Sequence, residues 1–332
     1  MLAHDSVVNN AKTSDGYDFT RYFTRVKSLY SDADVVFCNP ETLAAGTAFV
    51  ISGYPTFNAP SEFPRDLNKV GCNLINLATN HIGDKGQAAI NATLDTWQKL
   101  PILAVTGANR SATEQNTVSY FSKNGLKVAF VAFADFSNNK AVTTYGLNLY
   151  HDSALVKKLL TEARSNADVV IVSAHWGTED SNTVNADQLS AAQLFASLGA
   201  DVVIGTGPHV LQKVSSLPRS DGGTTLVWYS IANMLSSQLK TDELTGGVAG
   251  FTVEKQDGKI TVKDLSFKAT FMSYDWPAAD RAAQKLETRS NLALYPLADA
   301  ADQVSKFGAS LGEREQYVKN TLGTDVTMTV SP

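Results

Sequence analysis

The sequence predicts an α/β fold with mixed sheets, and three observations carry that reading. Seven short apolar segments, most of them opening on Asp or Asn, end in polar residues. Segments with apolar residues at helical spacing alternate with them, the pattern of buried strands covered by helices. Two hairpin-turn dipeptides, Asn124-Gly125 and Asp257-Gly258, lie between strand-like runs and require antiparallel pairing, so the sheets cannot be all parallel.

The elements follow in chain order. DFTRYFTRVKSLY (18–30) has helical spacing and is expected to be the first helix, followed by strand DVVFCNPE (34–41) and strand NLINLATNH (73–81). KGQAAINATLDTWQKL (85–100) reads as helix and ILAVTG (102–107) as strand. SYFSKNGLKVAFVAF turns back at Asn124-Gly125 into strand VAFVAFAD (128–135). Helices SALVKKLLTEARS (153–165) and ADQLSAAQLFASLG (186–199) then alternate with strands DVVIVSAHWG (168–177) and DVVIGTGPH (201–209). The last strand of the series is LVWYSIAN (226–233), followed by a hairpin in VAGFTVEKQDGKITVKDLSF. Strands this continuously apolar are covered on both faces. After about Tyr274 the chain is expected to be helical and polar, with a tail or late strand from Gly323. No repeat or low-complexity linker is present, so residues 1–273 are taken as one domain and 274–332 as a helical extension packed on it.

Composition narrows the function. The chain has 332 residues, 43% hydrophobic and 18% charged, with a net charge of -5 and no run of Lys or Arg. Nucleic acid is therefore excluded as the expected partner. The apolar stretches are strand-sized, short of the roughly 20 residues that cross a bilayer, and residues 1–10 lack the regions of a signal peptide. As it stands the chain is expected to be soluble. Cys38 and Cys72 are expected to stay unbridged, because they fall at opposite ends of neighbouring parallel strands.

In open α/β sheets the carboxyl ends of the strands form the ligand crevice. Here those ends carry Asn39 and Glu41, Asn80 and His81, His175 and Glu179, His209, and Asn233. The chain has only five histidines, and three of them stand at strand ends beside glycines. A single His or Asn there is ordinarily structural or a helix cap, and Asp84 competes with Asn80 for that role. Three imidazoles with a carboxylate and a side-chain carbonyl instead suit a borderline divalent cation such as Zn, Mn or Fe. His151 opens a helix and reads as solvated, whereas His4 stands at the terminus, where a strand ending in a site residue could precede it.

NPET, ATNHIGDKG, SAHWGTE, GADVVIGTGPHVLQ and YSIANMLSSQ occur in the order and at about the spacing of a known family. The chain resembles bacterial capsule synthesis proteins of the CapA type, associated with poly-γ-glutamate and related to calcineurin-like metallophosphoesterases. The resemblance covers roughly Leu2 to Val253 and implies a metallophosphoesterase-like sandwich of mixed sheets flanked by helices.

It also implies roles. Glu41 would bridge two divalent ions, with Asn80 and His175 on one and His209 on the other. His81 would protonate the leaving group and Asp84 would orient it, while His4, Asn39, Glu179, Asn233 and Gln238 would be substrate or supporting contacts. Two departures bear on this. The family's Gly-Asp pair would fall just ahead of Met1, and Gly207 stands where G-x-H-P-H has a histidine, a change expected to open room beside Pro208 and to leave one ion rather than two. The expected function is capsule or exopolymer biosynthesis with a metal-dependent hydrolase site, the alternative a non-catalytic polymer-binding component with a degenerate site. Expected partners are an anionic exopolymer or its precursor and other capsule-synthesis membrane proteins. The expected location is extracellular, held at the membrane through an N-terminal segment absent from this chain.

Overall fold

The computed structural model describes residues 1–140, 142–324 and 327–329. Its strands are β1 (Lys12–Thr13), β2 (Gly16–Tyr17), β3 (Phe37–Cys38), β4 (Leu74–Asn76), β5 (Ala104–Thr106), β6 (Ser119–Lys123), β7 (Leu126–Ala134) and β8 (Val169–His175). They continue with β9 (Val202–Thr206), β10 (Val214–Pro218), β11 (Thr224–Trp228), β12 (Thr245–Gln256), β13 (Lys259–Asp275), β14 (Ser290–Pro296) and β15 (Thr327–Thr329).

The fold is an α/β sandwich of mixed sheets flanked by helices. The largest sheet has the order β10-β11-β9-β8-β7-β6. Its inner strands β11, β9, β8 and β7 run parallel, and both edge strands are antiparallel. A parallel sheet β3-β4-β5 and a sheet β12-β13-β14, with β15 beside β13, make up the other layer.

Alternation along the strands explains the layering. In β7, Phe130, Ala132 and Ala134 enter the core between the sheets, while Ala129, Val131 and Phe133 enter a second core beneath the helices. In β8, Val169 and Ile171 divide from Val170, Val172 and Ala174 in the same way. Helices Ser153–Asn166 and Ala186–Ser197 cover that second core. Asp152 caps the first by accepting from Leu155 N–H, and Asn185 with Gln188 forms a capping box on the second. Both hairpins are present: Asn124 and Gly125 have φ of 49° and 81°, Asp257 and Gly258 of 50° and 76°. These left-handed pairs match the twist of the strands they join.

Three expectations are corrected. Residues 18–30 form two short 3-10 helices, Thr20–Phe23 and Lys27–Leu29, instead of one α-helix. Asp66 Oδ2 takes the Phe19 N–H at 2.9 Å, and Asp18 Oδ1 takes both the N–H and the hydroxyl of Thr20, so these groups are held by side chains. The chain after Tyr274 is not only helical, because β14 pairs antiparallel with β13 there.

The third correction concerns the cysteines. Cys38 and Cys72 form a disulfide, with Cα atoms 5.7 Å apart. The expected separation assumed long strands, but β3 has only two residues and Cys72 precedes β4 altogether. Gly71, at φ 124°, turns the chain after helix Glu62–Lys69, and both Asn73 and Leu74 N–H donate to Val36 O. That double contact folds Cys72 back beside Cys38. Among the described residues, no helix is long and apolar enough to cross a membrane.

Candidate functional site

The carboxyl ends of β3, β4, β8, β9 and β11 deliver the polar residues that the sequence places there. β8 and β9 run side by side with His175 paired to Thr206, so the histidine ends one strand level with the point where its neighbour breaks into Gly207-Pro208-His209. His209 takes a left-handed φ of 63°, which is unusual for a residue with a side chain and turns the chain sharply at the crevice.

Glu41, Asn80, His175 and His209 converge. His175 Nε2 lies 3.0 Å from Asn80 Oδ1 and 3.5 Å from Glu41 Oε1. His209 Nε2 lies 3.8 Å from the same Glu41 oxygen. All four residues are buried, and Glu41 Oε1 has no hydrogen-bond partner. The outer ring nitrogens are also engaged: His175 Nδ1 is 3.0 Å from Thr206 Oγ1, and His209 Nδ1 is 3.2 Å from Asn233 Oδ1. Asn233 is fixed in turn by donating to Gln238 Oε1 and to Glu243 O. With Nδ1 of each ring facing an oxygen, Nε2 of each ring points toward Glu41. A buried carboxylate oxygen left unpaired among two imidazoles and an amide oxygen fits a divalent cation, since buried polar groups otherwise find partners.

Electrostatics agree with that donor set. Burial pushes the Glu41 carboxyl up most strongly, but His209 and His175 outweigh it and hold the group below the usual carboxylate range. Burial pushes His175 down to about 4, leaving a neutral ring with a free lone pair at neutral pH.

His81 stands beside this cluster. Its Nδ1 is 2.8 Å from Asp84 Oδ2, and the Asn138 amide nitrogen is 3.2 and 3.4 Å from the two ring nitrogens. Phe57 packs edge-on against it at 4.6 Å. Burial works against the charged ring, yet the Asp84 hydrogen bond and the Glu41 charge raise its pKa above the ordinary histidine value. Asp84 is not a helix cap: helix Gln87–Gln98 starts from Gly86, and the carboxylate serves His81 and the Phe57 N–H.

The supporting residues divide. His4 is edge-on to Phe57 at 5.5 Å and its Nδ1 accepts from Ser237 N–H. Asn39 is consumed structurally, its Oδ1 accepting from Asn76 at 2.7 Å. Glu179 is exposed and reaches the site only through its charge on His81.

Gly207 does not open room. A Cβ there would sit 2.5 Å from Trp176 O, at a φ of 114°, so the backbone of Trp176 fills the place where a side chain would start. A cavity of about 540 Å³ extends from Glu41, His209 and Asn233 into the apolar space between β3 and β12.

Sequence reading missed Phe57, Asn138 and Thr206, which hold the histidines. Thr206 was visible as the last residue of its strand, whereas Phe57 and Asn138 arrive on loops that no local pattern aims. It also missed Asp135, His151 and Asp187, whose ligand atoms lie within 4.8 Å of one another. His151 is exposed, as its position suggested, but Nε2 is 2.7 Å from Asp135 and 3.6 Å from Asp187, while the Tyr150 hydroxyl donates to Asp187. These contacts join the three side chains to one another at the surface, outside the set that faces Glu41.

Comparison with known proteins identifies the family. The chain is 30% identical over 181 residues to the PGA biosynthesis protein CapA of Bacillus subtilis (strain 168), covering 53% of this chain and 46% of that protein. It is 28% identical over 187 residues to the capsule biosynthesis protein CapA of Bacillus anthracis, covering 54% and 44%. The match thus spans under half the length of these curated relatives. A hypothetical protein from Thermus thermophilus, known from its crystal structure, aligns over 81% of this chain and 89% of its own, at 16% identity and a TM-score of 0.41. The family described as bacterial capsule synthesis protein PGA_cap matches residues 1–238, a span that includes Glu41, Asn80, His81, His175, His209 and Gln238, and the chain belongs to that family.

Proposed function

We propose that the protein acts in capsule or exopolymer biosynthesis through a metal-dependent hydrolase site of the metallophosphoesterase type. The observation that carries the reading is Glu41 Oε1, buried, unpaired and faced by His175 and His209. Glu41, Asn80, His175 and His209 would hold one divalent ion of the Mn, Zn or Fe kind. When bound, such an ion supplies Lewis-acid polarisation of a phosphoryl or acyl oxygen and a lowered water pKa.

The chain's own residues do the rest. Thr206 and Asn233 orient the two rings, so Nε2 of each needs no rearrangement. Asp84 holds His81 by Nδ1 and favours its protonated form, which keeps a proton on Nε2 for a departing alkoxide or amine. Phe57 packs against that ring in a T-shaped contact at 4.6 Å.

The proposed setting draws support from the relatives and the disulfide. Both named relatives are capsule or PGA biosynthesis proteins, so an anionic exopolymer or its precursor is the proposed substrate class and capsule-synthesis membrane proteins the proposed partners. The Cys38–Cys72 bond favours an oxidising, extracellular location. The second reading, a polymer-binding component without catalysis, is favoured by Gly207, where no imidazole can be seated. A panel of phosphomonoester, phosphodiester and γ-glutamyl amide substrates, assayed with Mn or Zn, tests the choice. Metal-dependent turnover of one class supports the hydrolase, and polymer affinity without turnover of any supports the second reading.

A further inference from the structure

Six large apolar side chains are exposed among the described residues, and two of them, Tyr54 and Phe136, stand on loops that also carry residues in contact with His81. Exposed apolar side chains scattered singly mean little, but a concentration around a site marks a binding surface. Tyr54 and Phe136 have the most informative positions.

Tyr54 is 71% exposed at the tip of a loop closed by the antiparallel bridge between Ser52 and Asn58. Three residues later the same loop places Phe57 against His81. Phe136 is 48% exposed and follows Asp135, whose N–H donates to His175 O at 2.8 Å. Two residues later the same loop places Asn138 on His81, and Asn138 N–H donates to Asn80 O at 2.9 Å. The two loops therefore both contact His81, one through Phe57 and one through Asn138, and each carries an aromatic ring exposed to solvent. A lysine accompanies each ring: Lys85 donates to Thr56 Oγ1 at 3.1 Å, and Lys140 is exposed four residues beyond Phe136.

We propose that Tyr54 and Phe136 form a polymer-gripping subsite beside His81, which takes a linear anionic polymer with aliphatic stretches between its charges. The rings cover the aliphatic stretches, Lys85 and Lys140 face the charges, and the chain is drawn across the crevice. The occupant is argued from the continuity of both loops with the crevice and from the paired lysines. The inference deepens the proposed function and rests on it for the identity of the polymer. Binding energy from parts of a substrate remote from the reacting bond is what such a subsite would contribute.

The test compares the full chain with its Tyr54→Ala/Phe136→Ala double variant, using poly-γ-glutamate and polyphosphate as binding probes. Zinc content and turnover of bis(p-nitrophenyl) phosphate report the metal site separately. The double variant is expected to bind poly-γ-glutamate about tenfold or more weakly, with polyphosphate affinity and zinc content within about twofold of the parent. A Tyr54→Phe/Phe136→Tyr variant, which keeps both rings, is expected to bind like the parent. Loss of polymer affinity without any ester turnover in the parent would sink the hydrolase reading and leave the subsite standing. The subsite is overturned if the double variant binds poly-γ-glutamate as tightly as the parent, if zinc is lost together with affinity, or if the parent does not bind the polymer.

Discussion

Asp84 and His81 are joined by a 2.8 Å contact between a carboxylate oxygen and Nδ1, and the same carboxylate oxygen accepts the Phe57 N–H. The pair fixes both the direction and the protonation of the imidazole. Asp84→Asn is therefore expected to lower kcat for an alkyl phosphodiester by roughly 10²-fold, the low end of general-acid effects. The loss should shrink for a p-nitrophenyl ester, whose leaving group needs no proton. Equal losses on both substrates would show that His81 does not act as the acid.

Gly207 and Trp176 define a steric prediction. With a Cβ only 2.5 Å from Trp176 O and φ at 114°, Gly207→Ala should destabilise the fold by about 2–4 kcal/mol, through strain and backbone displacement together. Urea midpoints measure it. Gly207→His should fold no better and should gain no metal, whereas a stable variant with higher zinc content would show that the turn can be rebuilt.

The disulfide closes a separation of 34 residues and links the strand that leads to Glu41 with the turn before β4. Removing it as Cys38→Ala/Cys72→Ala should lower stability by about 3–4 kcal/mol in the loop-entropy account. Thermal melts with and without reductant should show the same loss in the parent and no reductant effect in the variant.

His4 predicts a pH dependence. Burial, followed by Arg289 and His209, pushes its pKa down to about 3 from an ordinary 6.5. The unfolded chain thus takes up a proton before the folded chain does as pH falls. Stability is fully present above pH 6.5 and is lost as pH drops from there toward 3. His4→Gln should flatten this slope in urea titrations between about pH 7 and 4, and an unchanged slope would assign the acid sensitivity elsewhere.

The legible parts of the molecule are those where local pattern and tertiary demand coincide. β7, β8 and β9 read as strands because burial on both faces makes them continuously apolar, and the two hairpins read from their turn dipeptides alone. The strand ends then pointed to Glu41, Asn80, His81, His175 and His209 without knowledge of the loops, and the family resemblance separated the expected ligands from His81. The segment 18–30 misled because its buried residues Phe19, Tyr22, Phe23 and Val26 have helical spacing, while Asp66, far along the chain, takes the Phe19 N–H. The Cys38–Cys72 bond was hidden because it depends on how short β3 is and on the turn at Gly71. Phe57 and Asn138 reach His81 across loops, and nothing in their neighbouring residues encodes that approach.

The central claim is that Glu41 Oε1 is unpaired because it belongs to a cation. The most direct measurement is zinc and manganese stoichiometry by elemental analysis after dialysis, for the parent and for Glu41→Gln, which keeps the side-chain shape and removes the charge. The account predicts about one ion per parent chain and a loss of roughly 10²-fold or more in affinity for the variant, since even supporting contacts around a metal are worth 10- to 100-fold. A parent that holds no ion at saturating metal, or a Glu41→Gln protein that holds it equally well, would contradict the account.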